Sequence, residues 1–333
     1  MVKNQLNIDS LSTLLYCMDC YKFVSSPLTN DEWYTIERII KIQGLTGPGC
    51  LLNLNKEELV SVLGIDKVVA DKITSRKIEL FVLLDYIFNL DKKGILISTK
   101  YESTYPTIML TQMKKKAPLY FYYKGNVELL GNNVSIVGLQ NVDKESGSYC
   151  KRLVDKINNH NYILVSNDNE GVDKECLRYD LNHGGSAVLF VCDDFNGKCE
   201  KYSRYLKNGR MLIMCTESIE GSLSASKLLD RNVYVSGLSK YQVIVSTKIN
   251  GGLSWFGAII NLHNKWNKLL VVNNGNLSND RLIEMHATPI EINDIFSDDG
   301  FEKIYLNNKP EEESKRVDID QMSMYEIIGE VDE

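Results

Sequence analysis

Several features that would place a chain in a membrane, direct it to export or assign it to a common enzyme class are missing from these 333 residues. There is no run of about eighteen apolar residues without a charge, which a membrane-spanning helix needs. The first residues lack the basic stretch and the apolar core of a signal peptide. We therefore expect a cytoplasmic protein that does not enter a membrane.

The signatures of common catalytic and nucleotide-binding sites are absent as well. The sequence contains no GxGxxG after the first strand of the predicted sheet, no GxxxxGK[ST], no HExxH and no GxSxG. The turn Asn250-Gly251-Gly252 faintly resembles the signature of the phosphoribohydrolases, but the catalytic glutamate of that signature has no counterpart. We therefore predict a protein without enzymatic activity, metal or cofactor.

Cysteines are present, but not in the pattern of a disulfide framework. The eight cysteines lack the density expected of a small disulfide-linked domain. Cys17 and Cys20 form a CxxC pair that has no second pair and no histidine nearby. Ordinary reduced cysteines are the favoured interpretation, with a metal or redox role for this pair as the alternative.

The charge balance excludes one class of nucleic-acid-binding protein and leaves another open. A net charge of −6 argues against a histone-like protein that is coated with positive charge. A basic groove on an acidic molecule is compatible with it, since local charge decides whether nucleic acid binds. The length favours two domains, and an apolar content of 44% is sufficient for a sizeable core.

Three short apolar runs, at residues 134–138, 162–166 and 186–192, organise the middle of the chain. Two amphipathic segments of helical length separate these runs, which is typical of successive βαβ units with buried parallel strands. The pattern predicts an α/β fold with an extended Rossmann-like, doubly wound and mostly parallel sheet, and with helices on both faces. Such sheets bind ligands in a crevice at the carboxyl ends of their strands.

The flanking regions predict a helical domain before this sheet and a charged tail after it. Residues 1–92 read as helical, and their Leu63-Gly64-Ile65 turn resembles helix-hairpin-helix and sterile-alpha-motif (SAM) modules; a bundle with simple packing turns is the alternative. We assign residues 93–306 to the Rossmann domain. Residues 307–333 are acidic and poor in apolar residues, so we expect a disordered tail that cannot repay its ordering entropy.

The order of short motifs between about residue 30 and residue 290 resembles the DNA-processing protein A family, also called DprA or Smf. The motifs match in sequence and in order: Gly94-Ile95, Tyr105-Pro106, Pro118-Leu119-Tyr120, Lys124-Gly125, Ile136-Val137-Gly138, Val165-Ser166 with Gly171-Val172-Asp173, Arg231-Asn232 with Gly237-Leu238-Ser239, and Asn279 to Ala287. The resemblance implies an N-terminal helical domain, an extended Rossmann domain and a homodimer. It also implies that the protein binds single-stranded DNA and helps to load a RecA-type recombinase during DNA uptake in transformation, or in recombination.

The chain departs from the family pattern in the expected DNA pocket. Gln140 replaces the arginine of the family's Gly-Ser/Thr-Arg motif, and Val233 replaces the last arginine of its Arg-Asn-Arg motif. The family turn Val-Ser-Gly-Leu-Ala-x-Gly-Ile-Asp reads Val-Ser-Asn-Asp-Asn-Glu-Gly-Val-Asp here, so Asn167 replaces a glycine, and a family histidine falls at Leu177. These departures indicate a divergent member whose pocket is weakened or altered.

A crevice that binds a nucleic acid backbone needs strand-end glycines for close approach, helix N-termini directed at phosphate, and a few cations. Glycines at the predicted strand ends meet the first two needs. Lysines and arginines on the same edge meet the third, and we expect Arg178 and Arg231 at the surface. Each cation alone is more typical of a solvated surface charge, so their placement on one edge is the stronger argument. The DNA-binding candidates are Gly138, Gln140, Gly171, Lys174, Arg178, Lys201, Arg204, Arg231, Asn232, Gly237, Lys248 and Gly251.

Four other side chains near this edge have two interpretations each. Phe195, Tyr202 and Tyr205 are candidates for stacking on unpaired bases, and packing beneath the loop is the alternative. For Asp173, orientation of the turn through hydrogen bonds with backbone amides is favoured over catalysis, because a carboxylate facing phosphate would repel it.

Two further expectations concern partners. The segment Leu253 to Trp266 carries more apolar bulk than one buried helix stripe requires, so we predict the homodimer surface there, with burial in the monomer as the alternative. The alternative function is a Rossmann-fold sensor that binds a nucleotide-derived ligand and no DNA. Such a sensor would use the same glycines but few cations, so its affinity would not depend on salt.

Overall fold

The computed structural model describes residues 6–20, 22–216, 219 and 225–310. Residues 311–333, which include most of the predicted acidic tail, lie outside the described residues. The chain divides into two compact units. The first consists of Met1–Pro106, Lys115–Lys124 and Cys215–Ile219, and the second of Thr107–Lys114, Gly125–Met214 and Glu220–Glu333.

The described part of the first unit combines helices with an antiparallel pair of strands. Its elements are α1 (Ile8–Cys17), α2 (Asn30–Ile42), α3 (Lys56–Ser61), α4 (Lys67–Lys77), α5 (Leu80–Lys92), β1 (Leu96–Thr99) and β2 (Tyr120–Gly125). Reciprocal side-chain caps fix two helix starts, since Thr29 pairs with Glu32 before α2 and Asn55 pairs with Glu58 before α3. Gly64, with a φ of +69°, makes the predicted turn between α3 and α4.

The second unit alternates strands and helices. Its strands are β3 (Asn133–Val137), β4 (Ile163–Ser166), β5 (Ala187–Val191), β6 (Met211–Cys215), β7 (Tyr241–Ile244), β8 (Lys268–Asn273) and β9 (Thr288–Glu291). Its helices are α6 (Thr107–Met113), α7 (Lys144–Asn159), α8 (Val172–Asn182), α9 (Phe195–Lys201), α10 (Ser203–Lys207), α11 (Ala225–Leu238), α12 (Gly252–Asn264), α13 (Leu277–Glu284), α14 (Ile292–Phe296) and α15 (Phe301–Asn308).

The strands of the second unit lie in the order β6-β5-β4-β3-β7-β8-β9. Pairing is parallel between β3 and β4, β3 and β7, β4 and β5, β7 and β8, and β8 and β9. Every residue of β3, β5 and β7 is buried, as expected for strands covered on both faces. The predicted mixed α/β class with a mostly parallel, Rossmann-like sheet is confirmed.

Two layers of helices cover the central strands. Helices α7 and α8 pack against each other and on β3 and β4, while α11 packs against α12 and on β3, β4 and β5. Strands β3 and β7 are neighbours, and the chain leaves them in opposite directions along the sheet. This arrangement is a topological switch point, where open α/β sheets form their binding crevice.

Helix α12, on which the homodimer surface was predicted, buries its largest side chains in this unit. Trp255 and Phe256 belong to a core cluster with Val137 and Ile244, and Trp266, which follows the helix, is only 5% exposed. The apolar bulk of this segment is therefore used in the monomer, which was the alternative interpretation. The dimer itself stays a prediction.

Candidate functional site

The carboxyl ends of β3, β4, β5 and β7 form one edge of the parallel sheet. We call the connections at this edge, residues 138–140, 167–174, 192–204 and 245–252, the rim. Gly138 is the first residue after β3, and a Cβ atom there would lie 2.6 Å from Cγ2 of Val172 and 3.1 Å from Oγ of Ser246. The amide of Leu139 donates to Oγ of Ser246 over 3.2 Å and so joins the ends of β3 and β7. The close approach explains why glycine is needed at this point.

The turn after β4 closes against the same loop. Gly171 has a φ of +93°, and a Cβ atom at this position would overlap the carbonyl oxygen of Leu139 and the backbone of Gln140. The amide of Val172, the first residue of α8, donates to the Leu139 carbonyl over 3.2 Å. The predicted role of Gly171 as a glycine of close approach has a physical basis, but the partner it approaches is the chain itself.

Asp173 lies beneath this turn, and its carboxyl group is buried. Burial raises its pKa to about 7, whereas the charge of Arg231 and hydrogen bonds from the backbone amides of Gly138 and of Asp173 itself lower it. One carboxyl oxygen has no hydrogen-bond partner. These contacts agree with the expectation that Asp173 orients the turn.

Arg231 is buried on α11, and the prediction that it lies at the surface is wrong. Its side chain donates to Oδ1 of Asn169 over 2.9 Å, and its Nε atom has no partner. Asn232 is also buried and accepts a hydrogen bond of 2.9 Å from Nδ2 of Asn167. Because α11 lies over β3, β4 and β5, both side chains face the turn after β4 and not solvent.

Two lysines converge on one carboxylate of this turn. Oδ2 of Asp168 accepts hydrogen bonds from Nζ of Lys198 over 2.7 Å and of Lys201 over 2.8 Å, and Oδ1 accepts one from the hydroxyl of Tyr202 over 2.7 Å. Burial would raise the pKa of Asp168, but these three donors together hold it below its usual value. Lys201 was among the candidates, whereas Lys198 and Asp168 were not. Their spacing was a usable signal for the two lysines, because residues three apart on a helix share a face.

The remaining cations among the DNA-binding candidates reach solvent. Lys174 forms an ion pair with Glu170. Arg178, further along α8, pairs with Glu175 over 2.7 Å. Arg204 on α10 and Lys248 after β7 are exposed, as is Gln140.

Gly251 and Gly237 lie at different ends of the sheet. Gly251 follows β7, and its amide donates to the carbonyl of Lys248 over 3.0 Å, so it belongs to the rim. Gly237 lies in the last turn of α11, before β7 begins, where a Cβ atom would overlap Sδ of Met113. The prediction of Gly237 as a strand-end glycine of the crevice is therefore wrong. Helix α11 continues to Leu238, which places Gly237 at the opposite edge, where the missing side chain allows α6 to pack closely.

Two of the three aromatic candidates for base stacking are buried. Phe195 is 1% exposed and Tyr202 is 8% exposed, with its hydroxyl engaged by Asp168. Tyr205 is half-buried, and the guanidinium of Arg210 lies 5.5 Å from its ring centre. Packing beneath the loop thus accounts for Phe195 and Tyr202.

A sequence model of the DNA recombination-mediator protein A family matches residues 96–298 of the chain. The chain belongs to this family. The match includes the whole rim. Membership accounts for the order of motifs noted in the sequence.

Two solved structures of DNA processing protein A are similar to this member of the family. The protein from Streptococcus pneumoniae matches with a TM-score of 0.57 at 17% identity, over 86% of this chain and 99% of that chain. The protein from Helicobacter pylori, whose structure was described for its single-stranded DNA binding mode, matches with a TM-score of 0.50 at 18% identity, over 63% of this chain and 95% of that chain. Identities at this level establish the fold alone. Curated protein sequences gave no significant match.

Two other properties of the described residues bear on the expectations from the sequence. Among residues 6–20, 22–216 and 225–310, no helix combines the length and apolar character that crossing a membrane requires. In the same residues, no group of three or more histidine, cysteine, aspartate and glutamate side chains could hold a metal ion. The cysteines form no disulfide, and Cys17 and Cys20 are buried.

Proposed function

We propose that this protein binds single-stranded DNA along the rim, without sequence preference and without a turnover of its own. Family membership supports this proposal, as does the single-stranded DNA binding described for the Helicobacter pylori protein. Non-specific binding of this kind rests on cations that contact successive phosphates.

The observation that carries the proposal is the convergence of cations from separate connections on one edge of the sheet. Lys174 comes from the first turn of α8, Lys198 and Lys201 from α9, Arg204 from α10, and Lys248 from the loop after β7. A chain with a net charge of −6 has no general excess of positive charge that would produce this grouping. Buried Arg231 supports the turn in this proposal and does not contact phosphate directly.

We further propose that the protein acts in the cytoplasm as a homodimer and as an accessory to a RecA-type recombinase, in DNA uptake or recombination. This part rests on the family resemblance. A dimer mass in light scattering at micromolar concentration is expected. A monomer mass under these conditions would contradict the dimer.

The DNA proposal is tested by titrating a fluorescent single-stranded oligonucleotide with the full chain between about 50 and 200 mM salt. Arg204→Gln combined with Lys248→Gln removes two exposed rim cations. Each phosphate contact in single strands contributes about 0.7 to the slope of log affinity against log salt, so the double variant should lower the slope by about 1.4.

The matched control is Lys265→Gln combined with Lys303→Gln. Lys265 follows α12 and precedes β8, and Lys303 lies near Tyr162, the residue directly before β4, so both belong to the opposite edge of the sheet. This control changes net charge equally and should bind as the parent does. Equal weakening of both double variants would mean that binding is not located at the rim.

The sensor function remains the alternative, and one observation favours it. Three buried polar atoms near the turn after β4 lack partners, namely Oδ1 of Asn167, Oδ1 of Asp173 and Nε of Arg231. A small ligand that satisfied them would bind with an affinity independent of salt. Salt-independent affinity for a nucleotide, together with no oligonucleotide binding, would favour this function over the DNA proposal.

A further inference from the structure

The turn between β4 and α8, residues 167–171, supplies partners for most of the cations of the rim. Asp168 accepts from Lys198 and Lys201, and Glu170 pairs with Lys174. Asn169 accepts from Arg231, the remaining cation beside this turn. One short segment thus forms ion pairs or hydrogen bonds with cationic side chains from three different helices.

The contacts of Asp168 have the geometry of a bound oxyanion. Two ammonium groups lie within 2.8 Å of a single oxygen, Oδ2, and a hydroxyl donates to the other oxygen. The Asp168 side chain is 1% exposed, whereas the side chains of Lys198 and Lys201 are 23% and 46% exposed, so the lysines separate the carboxylate from solvent. The amide of Asp168 donates to Oγ of Ser166, which fixes the residue in a left-handed conformation with a φ of +55°.

Glu170 makes a second contact of the same kind at the outer end of the turn. Its carboxylate is 71% exposed and pairs with Lys174 on the first turn of α8. The pairing raises the pKa of Lys174. The family pattern Gly-Leu-Ala-x has no fixed acidic residue at these positions, so Asp168 adds a negative charge to a turn that faces the predicted phosphate path.

We propose that Asp168 and Glu170 determine the DNA affinity of this protein by occupying, as internal substitutes for phosphate, the lysines that a DNA strand would contact. This inference rests on the proposed function. A strand must displace the carboxylates before its phosphates reach Lys198, Lys201 and Lys174. The chain therefore binds more weakly, and releases fewer counterions, than its number of rim cations would allow.

The inference is tested with Asp168→Asn in the same oligonucleotide titration. The substitution keeps the size of the side chain and one acceptor oxygen, and it removes the charge that holds both lysines. At about 50 mM salt the variant should bind about tenfold more tightly, because two ammonium groups become available to phosphate. The slope of log affinity against log salt should steepen by about 1.4, or about 0.7 for each lysine.

Two other variants keep the test decisive. Asp298→Asn makes the same change of charge at an exposed site beside His160, at the opposite edge of the sheet, and should bind as the parent does. Glu170→Gln alters an exposed carboxylate that no core packing depends on, and should tighten binding about twofold to threefold, as expected for loss of a surface ion pair. If Asp168→Asn proves unstable, Glu170→Gln compared with Asp298→Asn still decides the question.

The outcomes separate this inference from the proposed function. Tighter binding by Asp168→Asn and Glu170→Gln, with Asp298→Asn unchanged, supports the inference, even where the parent binds too weakly to measure. If the parent binds and folded Asp168→Asn binds no more tightly, the carboxylate positions the lysines and the inference is overturned. If neither the parent nor any variant binds, the proposed function and the inference both fail.

Discussion

The buried carboxyl group of Asp173 makes the stability of this protein depend on pH in an unusual direction. Its pKa is about 7 in the folded protein, against a usual value of 3.8. Between these pH values the folded protein retains a proton that the unfolded chain has released. The contribution of Asp173 to stability is therefore fully present below about pH 4, and it is lost as the pH rises to about 7.

The size of the effect follows from the difference between the two pKa values. Each pH unit corresponds to 1.36 kcal/mol, so a difference of about three units amounts to up to about 4 kcal/mol in the free energy of unfolding. Asp173→Asn removes the titrating group and keeps its shape. Between about pH 4 and pH 8, the free energy of unfolding of the variant should rise relative to the parent by up to this amount.

Urea unfolding followed by circular dichroism measures this difference at a series of pH values. The change with pH is the relevant quantity, because any constant cost of leaving Arg231 beside a neutral amide cancels from it. Asp180→Asn is the matched control, since burial raises the pKa of Asp180 to about 6 and its effect should end at a lower pH. A gap between Asp173→Asn and the parent that stays constant from pH 4 to pH 8 would refute the reasoning, and would mean that Arg231 keeps Asp173 charged.

Substitutions at two glycines test whether the proposed DNA-binding site lies at the rim or at the opposite edge of the sheet. Gly171→Ala should lower the free energy of unfolding by about 2 kcal/mol or more, as measured by urea unfolding. The added Cβ atom would overlap the Leu139 carbonyl, and alanine disfavours the positive φ at this position. Gly237→Ala should cost about 1 to 2 kcal/mol, since the flexible side chain of Met113 can move aside, and should leave oligonucleotide affinity unchanged. Weaker DNA binding by folded Gly237→Ala would mean that Gly237 belongs to the binding site.

Hydrophobic periodicity was sufficient to predict a mostly parallel sheet, because its signals are local, although it did not predict β9. The buried parallel strands read as uninterrupted apolar runs, and the turn glycines separate them from amphipathic helices. The length of α11 was harder to predict from the sequence, because residues 233–235, which read Val-Tyr-Val, are typical of a strand. Packing over β3, β4 and β5 overrides that local preference and extends the helix to Leu238.

The environment of the site residues could not be predicted from local sequence. Arg231 and Asn169 lie 62 positions apart, and Asp168 and Lys198 lie 30 apart, so their contacts exist only once the strands have their order. A charged residue in a predicted loop is usually solvated, which is why Arg231 was expected at the surface. Its burial became possible because Asn169 and Asp173 provide polar partners.

The departures from the family pattern change the charge in the same direction. Gln140 at the rim and Val233 on α11 replace arginines of that pattern, and Asp168 and Glu170 in the turn after β4 add negative charge. Leu177, where the family has a histidine, is 1% exposed and has become part of the core, so it contributes no compensating donor. Since affinity for a nucleic acid backbone increases with each phosphate that a cation neutralises, we expect all these changes to weaken the proposed DNA binding. The carboxylate of Asp168 acts on two cations at once. Asp168 is therefore the position at which a single substitution should change affinity most.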